Sequence, residues 1–213
     1  ASDVYKRQIH VQGVTKLKKA EHEIISDRIV AGTYIIAALM LNSDLEINNF
    51  NTIYLQSLIN ILKKMGAKLK VSKNSIKVFK GSKLKSTSLS TSPYPGFPTD
   101  LQAQLMSLMC ISDGKSKIKE TIFENRFMHV PELNRLGANI TVEKDTATII
   151  GNQTFKGAQV MASDLRASIS LVLAAMNANG QTTLNRVYHL DRGYENIEKT
   201  LGSLGVKIKR QKN

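Results

Sequence analysis

The chain has 213 residues, of which 42% are hydrophobic and 22% charged, as in an ordinary folded protein of one large domain or two small ones. No run approaches the roughly 18 apolar residues of a membrane-spanning helix, and the single cysteine excludes an intrachain disulfide, which favours a cytoplasmic location. The net charge of +13 predicts an anionic partner or lysine-rich exposed faces, and the scattered lysines favour the exposed faces.

The first eight residues have neither strand nor helix periodicity. Their stretch DVYKRQ looks like a translated sequencing-adapter sequence joined to an open reading frame. We therefore expect residues 1–8 to be a non-native leader on a gene cut upstream. Residues 9–213 are expected to form one domain.

An internal repeat organises that domain. In each of three copies an aspartate precedes an apolar helix, and a glycine ends a later helix. The intervals between aspartate and glycine are 39, 37 and 41 residues, for the pairs Asp27 and Gly66, Asp100 and Gly137, Asp164 and Gly205. The predicted copies span about 9–80, 81–155 and 156–213.

The elements follow the same order in each copy. The aspartate is expected to cap the first helix, which is apolar on nearly every side and should be buried. A short strand then begins near Leu45, Ser116 or Gln181. An amphipathic helix ends at the glycine, and two further strands complete the copy. Each copy therefore reads as β-α-β-α-β-β.

The strands alternate lysine with apolar residues, so each sheet should have one exposed face. The first helices have no polar face and need covering on all sides. We predict an α/β (α+β) domain that resembles an inside-out barrel, with three parallel buried helices inside and the sheets outside. Three stacked α/β layers are the alternative. In the closed arrangement the helix N-termini converge at one end, where they favour an anion.

Four segments, in chain order, are more specific than the repeat: YPGFPTDLQAQ from Tyr94, TIFENRFMH from Thr121, ASDLRA from Ala162 and DRGYE from Asp191. Together they resemble the motifs of the bacterial UDP-N-acetylglucosamine (UDP-GlcNAc) enolpyruvyl transferases. The resemblance runs from about residue 9 to the C-terminus. Members of that family have two domains of three such units, so the chain is expected to be the C-terminal half, without its N-terminal partner domain.

The resemblance implies an activity. The family transfers enolpyruvyl from phosphoenolpyruvate to the 3′-hydroxyl of UDP-GlcNAc through a tetrahedral intermediate, the first committed step of peptidoglycan synthesis. The resemblance implies these two small molecules as partners, no metal or organic cofactor, no nucleic acid and no membrane. Because the family's site closes between two domains, we expect this half alone to be inactive.

The resemblance also implies a set of site residues. Asp100 matches the aspartate that contacts the sugar hydroxyl and is proposed as its base. Ile122 matches a position that contacts UDP-GlcNAc through its backbone. Arg126 and Arg192 match residues that hold phosphoenolpyruvate, and Asp164 matches a residue that positions the part derived from it. Without the resemblance, a helix cap would be the simpler role for Asp100, and surface or capping roles would remain open for the arginines.

Several neighbouring residues stay outside the predicted site. Arg166 matches the same motif as Asp164, and for Arg166 a structural ion pair is at least as likely as a contact with substrate. A structural role is favoured for His129. Asp27 matches a motif beside the family's domain hinge, although its neighbours depart from that motif. Cys110 lies in an apolar helix and is expected to be a packed core thiol, because the family's reactive cysteine belongs to the other domain.

Other functions remain open. A shikimate-pathway enolpyruvyl transferase shares the fold and chemistry, but the PTDLQAQ and FENRFMH segments argue against it. A basic nucleic-acid-binding module would account for the charge, yet the sequence offers neither a reading helix nor stacking aromatics. A non-catalytic remnant that depends on a partner is the third alternative.

Overall fold

The computed structural model describes residues 10–211, so the predicted leader at residues 1–8 lies outside the described part of the chain. The fold is mixed α/β. The helices are α1 (Arg28–Met40), α2 (Gln56–Lys64), α3 (Gln102–Ile111), α4 (Val130–Arg135), α5 (Leu165–Met176) and α6 (Ile197–Ser203). The strands are β1 (Leu45–Asn48), β2 (Leu69–Val71), β3 (Ser75–Val78), β4 (Leu89–Ser90), β5 (Lys115–Lys119), β6 (Asn139–Glu143), β7 (Thr146–Ile150), β8 (Gln159–Met161) and β9 (Thr183–Asn185). None of the helices in residues 10–211 has the length and apolar character needed to cross a bilayer.

The strands form three separate sheets with the orders β1-β3-β2, β4-β5-β7-β6 and β8-β9. In the first two sheets the strand that follows the buried helix pairs antiparallel with the last strand of its copy: Leu45 lies opposite Val78, and Lys115 lies opposite Ile150. Both β4 and β8 run parallel to their neighbours. Along β5, exposed lysines alternate with the buried residues Ser116 and Ile118.

The three long helices α1, α3 and α5 form the core. They are apolar on almost every side and accordingly bury most of their residues. Helix α3 packs against both α1 and α5. The Ser107 Oγ in α3 donates to the Ser170 carbonyl of α5 at 3.1 Å, and the Asn177 side chain just after α5 donates to the Met40 carbonyl at the end of α1 at 2.8 Å. The last contact brings the C-terminal ends of α1 and α5 together.

Glycines end the amphipathic helices, as the sequence predicts. Gly66, Gly137 and Gly205 follow the last turns of α2, α4 and α6 with φ values of 95°, 100° and 94°. This left-handed conformation is easy for glycine and strained for other residues. At Gly66 a Cβ would also lie 2.9 Å from the Lys83 carbonyl oxygen. The repeated glycine thus marks a real and repeated helix stop.

Within residues 10–211, the full order β-α-β-α-β-β occurs in the middle copy alone. The first copy has no opening strand: residues 10–27 are irregular, and Val11, Val14 and Ile24 are exposed. The third copy has no closing strand pair after α6. A strand needs a hydrogen-bonded neighbour, and the described residues supply none at these two places.

A groove lies where the third copy lacks strands. It has a volume of about 860 Å³ and runs between β9 and residues 206–211. Apolar side chains from both sides line it, among them Leu184, Val187, Val206 and Ile208. In the middle copy the corresponding place beside β5 is filled by β7.

Candidate active site

The three repeated aspartates do not play the same part. Asp27 and Asp164 cap α1 and α5, as predicted. The Asp27 Oδ1 accepts from the amides of Ile29 and Val30 at 2.7 and 3.3 Å, and the Asp164 Oδ1 accepts from those of Arg166 and Ala167 at 2.8 and 3.0 Å. The carboxylate oxygens thus satisfy amide groups that have no partner within the helix.

The cap predicted at Asp100 is wrong. A 3₁₀ turn, Thr99–Leu101, precedes α3, and the residue before this turn is Pro98. Asp100 therefore lies inside the first turn, and neither the 3₁₀ turn nor α3 has a side-chain cap. Its carboxylate remains available for other partners.

Two arginines from distant parts of the chain form ion pairs with the Asp100 carboxylate. Arg126 Nη2 lies 3.1 Å and Arg166 Nε 3.0 Å from the same oxygen, Asp100 Oδ1. The arginine side chains are 24% and 21% exposed, whereas the Asp100 side chain is 41% exposed. Two guanidinium groups against one carboxylate leave a net positive charge, and guanidinium forks bind carboxylate and phosphate groups well. The cluster of Asp100, Arg126 and Arg166 is thus suited to a small anion.

The loop that carries Arg126 is shaped by its own residues. Asn125 has a φ of 53°, in the left-handed region that asparagine tolerates better than most residues. The Arg126 Cζ lies 5.3 Å from the centroid of the Phe123 ring, a cation–π arrangement. The aromatic ring and Asp100 together hold the Arg126 guanidinium from two sides.

Ile122 lies in the same loop. Its backbone N–H donates to Glu120 Oε1 at 2.9 Å, so its carbonyl oxygen is the group left for a ligand. The Ile122 side chain is 36% exposed and is therefore not part of the buried core.

His129 lies behind the arginine loop and is 2% exposed. Burial lowers the pKa of His129 to about 4, while the nearby Asp164 carboxylate raises the pKa and the Arg126 charge lowers it. A neutral, buried imidazole in this position supports the structural role expected for it.

Arg192, in contrast, makes no ion pair or side-chain hydrogen bond within residues 10–211, and its side chain is exposed. It ends the 3₁₀ helix Val187–Arg192, next to Gly193. A Cβ at Gly193 would lie 2.9 Å from the Leu165 side chain, so this backbone runs close to the start of α5. Of the predicted site residues, Asp100 and Arg126 are in contact, whereas Arg192 is outside their hydrogen-bond network.

Two residues outside the predicted set belong to this region. Arg166 contacts Asp100 directly, and its place two residues after a helix-capping aspartate was the available signal. Glu120 is a 4% exposed acid that directly follows the lysine-alternating strand KSKIK, and an acid after such a pattern was the signal there.

A buried polar chain connects the site to the core. The Gln104 side-chain amide donates to the Asp100 carbonyl at 2.9 Å and to Thr33 Oγ1 at 3.3 Å. Thr33 Oγ1 in turn lies 2.8 Å from the Tyr194 hydroxyl. This chain joins α1, α3 and the segment after Arg192 beneath the Asp100 turn.

Cys110 is fully buried in α3, and burial raises the pKa of its thiol to about 12. The expectation of a packed core thiol is therefore confirmed. In the described part of the chain no three His, Cys, Asp or Glu side chains group as metal ligands.

Comparisons with known proteins agree with one another. The family model described as EPSP synthase (3-phosphoshikimate 1-carboxyvinyltransferase) matches residues 2–201. A relative from Pelagibacter ubique is 52% identical over 205 residues, which are 96% of this chain and 49% of the relative. A relative from Azorhizobium caulinodans is 50% identical over 203 residues, which are 95% of this chain and 47% of the relative. Both are named UDP-N-acetylglucosamine 1-carboxyvinyltransferase.

Among solved structures, the enolpyruvyl transferase NikO from Streptomyces tendae is similar with a TM-score of 0.81 and 29% identity. The match covers 87% of this chain and 44% of that one. The chain thus spans about half the length of the curated relatives it matches.

Proposed function

Because the chain belongs to the EPSP synthase family, we propose that it is the C-terminal half of a UDP-GlcNAc enolpyruvyl transferase. The complete enzyme would transfer enolpyruvyl from phosphoenolpyruvate to the 3′-hydroxyl of UDP-GlcNAc, the first committed step of peptidoglycan synthesis. The observation that most strongly supports this proposal is about 50% identity, over nearly the whole chain, to relatives that bear this enzyme's name. Since those relatives are about twice as long, the other half of the site would come from the rest of the protein.

In this proposal Asp100 is the base that accepts the proton of the sugar hydroxyl. Its carboxylate stands at the start of a buried helix and is partly open to solvent. A general base must come within hydrogen-bond reach of the proton that it removes. The rigid proline-rich approach, with Pro93, Pro95 and Pro98, supports such fixed placement.

Arg126 would hold phosphoenolpyruvate, and Arg166 joins it in that role. The substrate brings a phosphate and a carboxylate, which compete with Asp100 for the two guanidinium groups. As the arginines turn toward the substrate, the Asp100 carboxylate would become free to contact the sugar hydroxyl. The same contacts that neutralise Asp100 in the free protein would thus release it when the anion arrives.

The remaining predicted residues complete the proposal. The Ile122 carbonyl would contact UDP-GlcNAc, because the Ile122 amide is already engaged. Asp164 caps α5 with Oδ1 and would use Oδ2 to position the part derived from phosphoenolpyruvate. The exposed Arg192 would turn inward onto the substrate anion when the two halves close. These ligands are cytoplasmic metabolites, which is the basis for placing the enzyme in the cytoplasm.

For the architecture we propose the closed, inside-out arrangement of three repeats, with boundaries near residues 80 and 155. Two contacts support it. Asp100 at the start of α3 pairs with Arg166 at the start of α5, and the ends of α1 and α5 meet through Asn177. Parallel central helices would bring their N-termini to one end, where the anion-binding cluster lies.

The second candidate is the shikimate-pathway transferase, favoured by the description of the family model itself. The two candidate functions can be distinguished by measuring phosphate release from phosphoenolpyruvate with the complete two-domain protein. The acceptor is UDP-GlcNAc in one assay and shikimate 3-phosphate in the other. We expect the complete protein to turn over with UDP-GlcNAc as acceptor and not with shikimate 3-phosphate. We expect no turnover from residues 1–213 by themselves. Turnover with shikimate 3-phosphate instead would overturn the proposal.

A further inference from the structure

We propose that Glu120 is a positioning residue, which fixes the loop carrying Ile122 and Arg126 against the turn carrying Asp100. This inference rests on the proposed function, because it assigns Glu120 to the same reaction. Glu120 contacts none of the three site residues through their side chains. It would act through the backbone and hydroxyl groups around them.

The Glu120 carboxylate accepts four hydrogen bonds. Its Oε1 accepts from the Thr91 hydroxyl at 2.8 Å, from the Ile122 amide at 2.9 Å and from the Phe123 amide at 3.3 Å. Its Oε2 accepts from the Thr99 hydroxyl at 2.9 Å. The residue is 4% exposed, so these donors take the place of water.

The chemistry of a carboxylate explains why a glutamate stands here. An ionised carboxylate only accepts hydrogen bonds and has about four lone-pair sites. Its charge makes each bond stronger than a bond between neutral groups. A buried charge is expensive without such partners, and within residues 10–211 no lysine, arginine or histidine pairs with Glu120. The four donors stabilise it instead, and they fix its orientation.

The donors come from three segments of the chain. Thr91 follows β4, Thr99 opens the 3₁₀ turn that contains Asp100, and Ile122 and Phe123 begin the loop that leads to Arg126. One rigid group therefore sets the spacing between the base and the substrate-binding loop. Spacing matters because a misplacement of about 1 Å in an active site can lower the rate roughly 100-fold.

The two sides of the carboxylate can be tested separately. Thr99→Val keeps the side-chain shape and removes the hydroxyl on the Asp100 side, leaving the loop contacts in place. Glu120→Gln keeps the length, removes the charge and exchanges one acceptor oxygen for a donor amide. A matched control is Ser116→Ala: Ser116 is buried in β5, the strand that precedes Glu120, and its hydroxyl accepts from the Thr87 amide at 3.3 Å.

The experiment uses the complete two-domain protein, with kcat and KM for both substrates and the midpoint of thermal unfolding. We expect Thr99→Val to lower kcat about tenfold with both KM values within twofold of wild type, as misplacement of a base requires. Glu120→Gln should lower kcat and also raise the KM for UDP-GlcNAc. Ser116→Ala should lower the unfolding midpoint and leave kcat unchanged.

Wild-type kcat in both Thr99→Val and Glu120→Gln overturns the inference, and so does an equal loss of kcat in Ser116→Ala. If Glu120→Gln does not fold, Thr99→Val decides alone, since Thr99 is only half-buried. Wild-type protein that fails to use UDP-GlcNAc overturns the proposed function and the inference with it. Active wild type with unaffected variants overturns the inference alone.

Discussion

Asp100 and Arg166 lie 66 residues apart in the sequence, and a contact of 3.0 Å between Asp100 Oδ1 and Arg166 Nε joins the 3₁₀ turn before α3 to the first turn of α5. Arg126 reaches the same oxygen from the loop after β5. The candidate site thus lies where the N-terminal ends of two buried helices meet, with one carboxylate between two guanidinium groups. This relationship allows direct tests of each residue's part.

The Asp100→Asn substitution should abolish most of the transfer activity of the complete enzyme. Asparagine can still accept from both arginines, so the fold should persist, but it cannot take up the proton. General-base catalysis contributes roughly 100- to 10,000-fold, and a loss of kcat in that range is expected. The assay is phosphate release with both substrates. As a control, Asp113→Asn alters an exposed acid beyond the opposite end of α3 and should leave kcat unchanged. Full activity in Asp100→Asn would exclude Asp100 as the base.

Arg166→Gln should lower kcat/KM for phosphoenolpyruvate by about 10- to 100-fold, the value of a charged hydrogen bond. Combined with Asp100→Asn the losses should be less than multiplicative, because the two side chains share one contact. Arg135→Gln is the control, since Arg135 is 63% exposed and its single ion pair within residues 10–211 is with Glu132, one turn away. If Arg166 is merely a structural ion pair, its variant will unfold at lower temperature with normal kcat/KM.

The capping role of Asp27 can be tested by stability, separately from the catalytic role proposed for Asp100. Asp27→Ala removes the acceptor for two amide groups and should lower the free energy of unfolding by about 1 kcal/mol. Asp27→Asn should cost far less, because asparagine caps helices nearly as well. Urea unfolding of the 213-residue chain provides the measurement. Equal losses for alanine and asparagine would contradict the role of Asp27 as a cap.

Stability should fall in mild acid because of His129. Its folded pKa is about 4, below the ordinary value of 6.5, so between these pH values the unfolded chain binds a proton that the folded chain excludes. The contribution of His129 to the free energy of unfolding is therefore greatest above pH 6.5. It decreases as the pH falls toward 4, by roughly 3 kcal/mol in total.

His129→Gln should flatten this part of the pH profile, whatever its effect on stability at neutral pH. The comparison is the slope of unfolding free energy against pH between 4 and 6.5. His22→Gln, at an exposed position, should leave the slope unchanged. An unaltered slope in His129→Gln would contradict a buried neutral imidazole.

Cys110 should resist thiol reagents in the folded chain. Burial raises the pKa of its thiol to about 12, and the thiolate is the reactive form. We expect labelling by a maleimide to be at least roughly 100-fold slower in buffer than in concentrated urea. Fast labelling of the folded protein would show that α3 opens or that Cys110 is accessible.

Local patterns in the sequence were enough to predict helix stops and two of the three helix caps, because these features depend on neighbouring residues alone. The glycines at positions 66, 137 and 205 adopt the conformation that ends a helix, and Asp27 and Asp164 cap the helices that follow them. Asp100 occupies the same place in the repeat but does not cap, because the turn after Pro98 shifts the start of α3. A one-turn shift of this kind leaves no mark in the hydrophobic pattern.

The site itself depends on contacts that no local pattern contains. The motif resemblance selected Asp100 and Arg126, which do meet, yet it also selected Arg192, which lies apart. For Arg166 a structural ion pair was at least as likely as a substrate contact, and the structure shows such an ion pair, with a partner 66 residues away. Buried Glu120 directly follows a strand of alternating lysines, so the local sequence resembles that of an exposed strand, and the tertiary fold alone shows that the carboxylate is buried.

The open side of β9 has a consequence for anyone who prepares this chain by itself. β9 has β8 as its single strand partner within residues 10–211, and the 860 Å³ groove beside it exposes unpaired backbone and apolar side chains such as Leu184 and Ile208. Such an edge is a template for strand addition by any extended chain. The isolated polypeptide should therefore self-associate as its concentration rises, and co-expression with the N-terminal half of the proposed enzyme should keep it in solution.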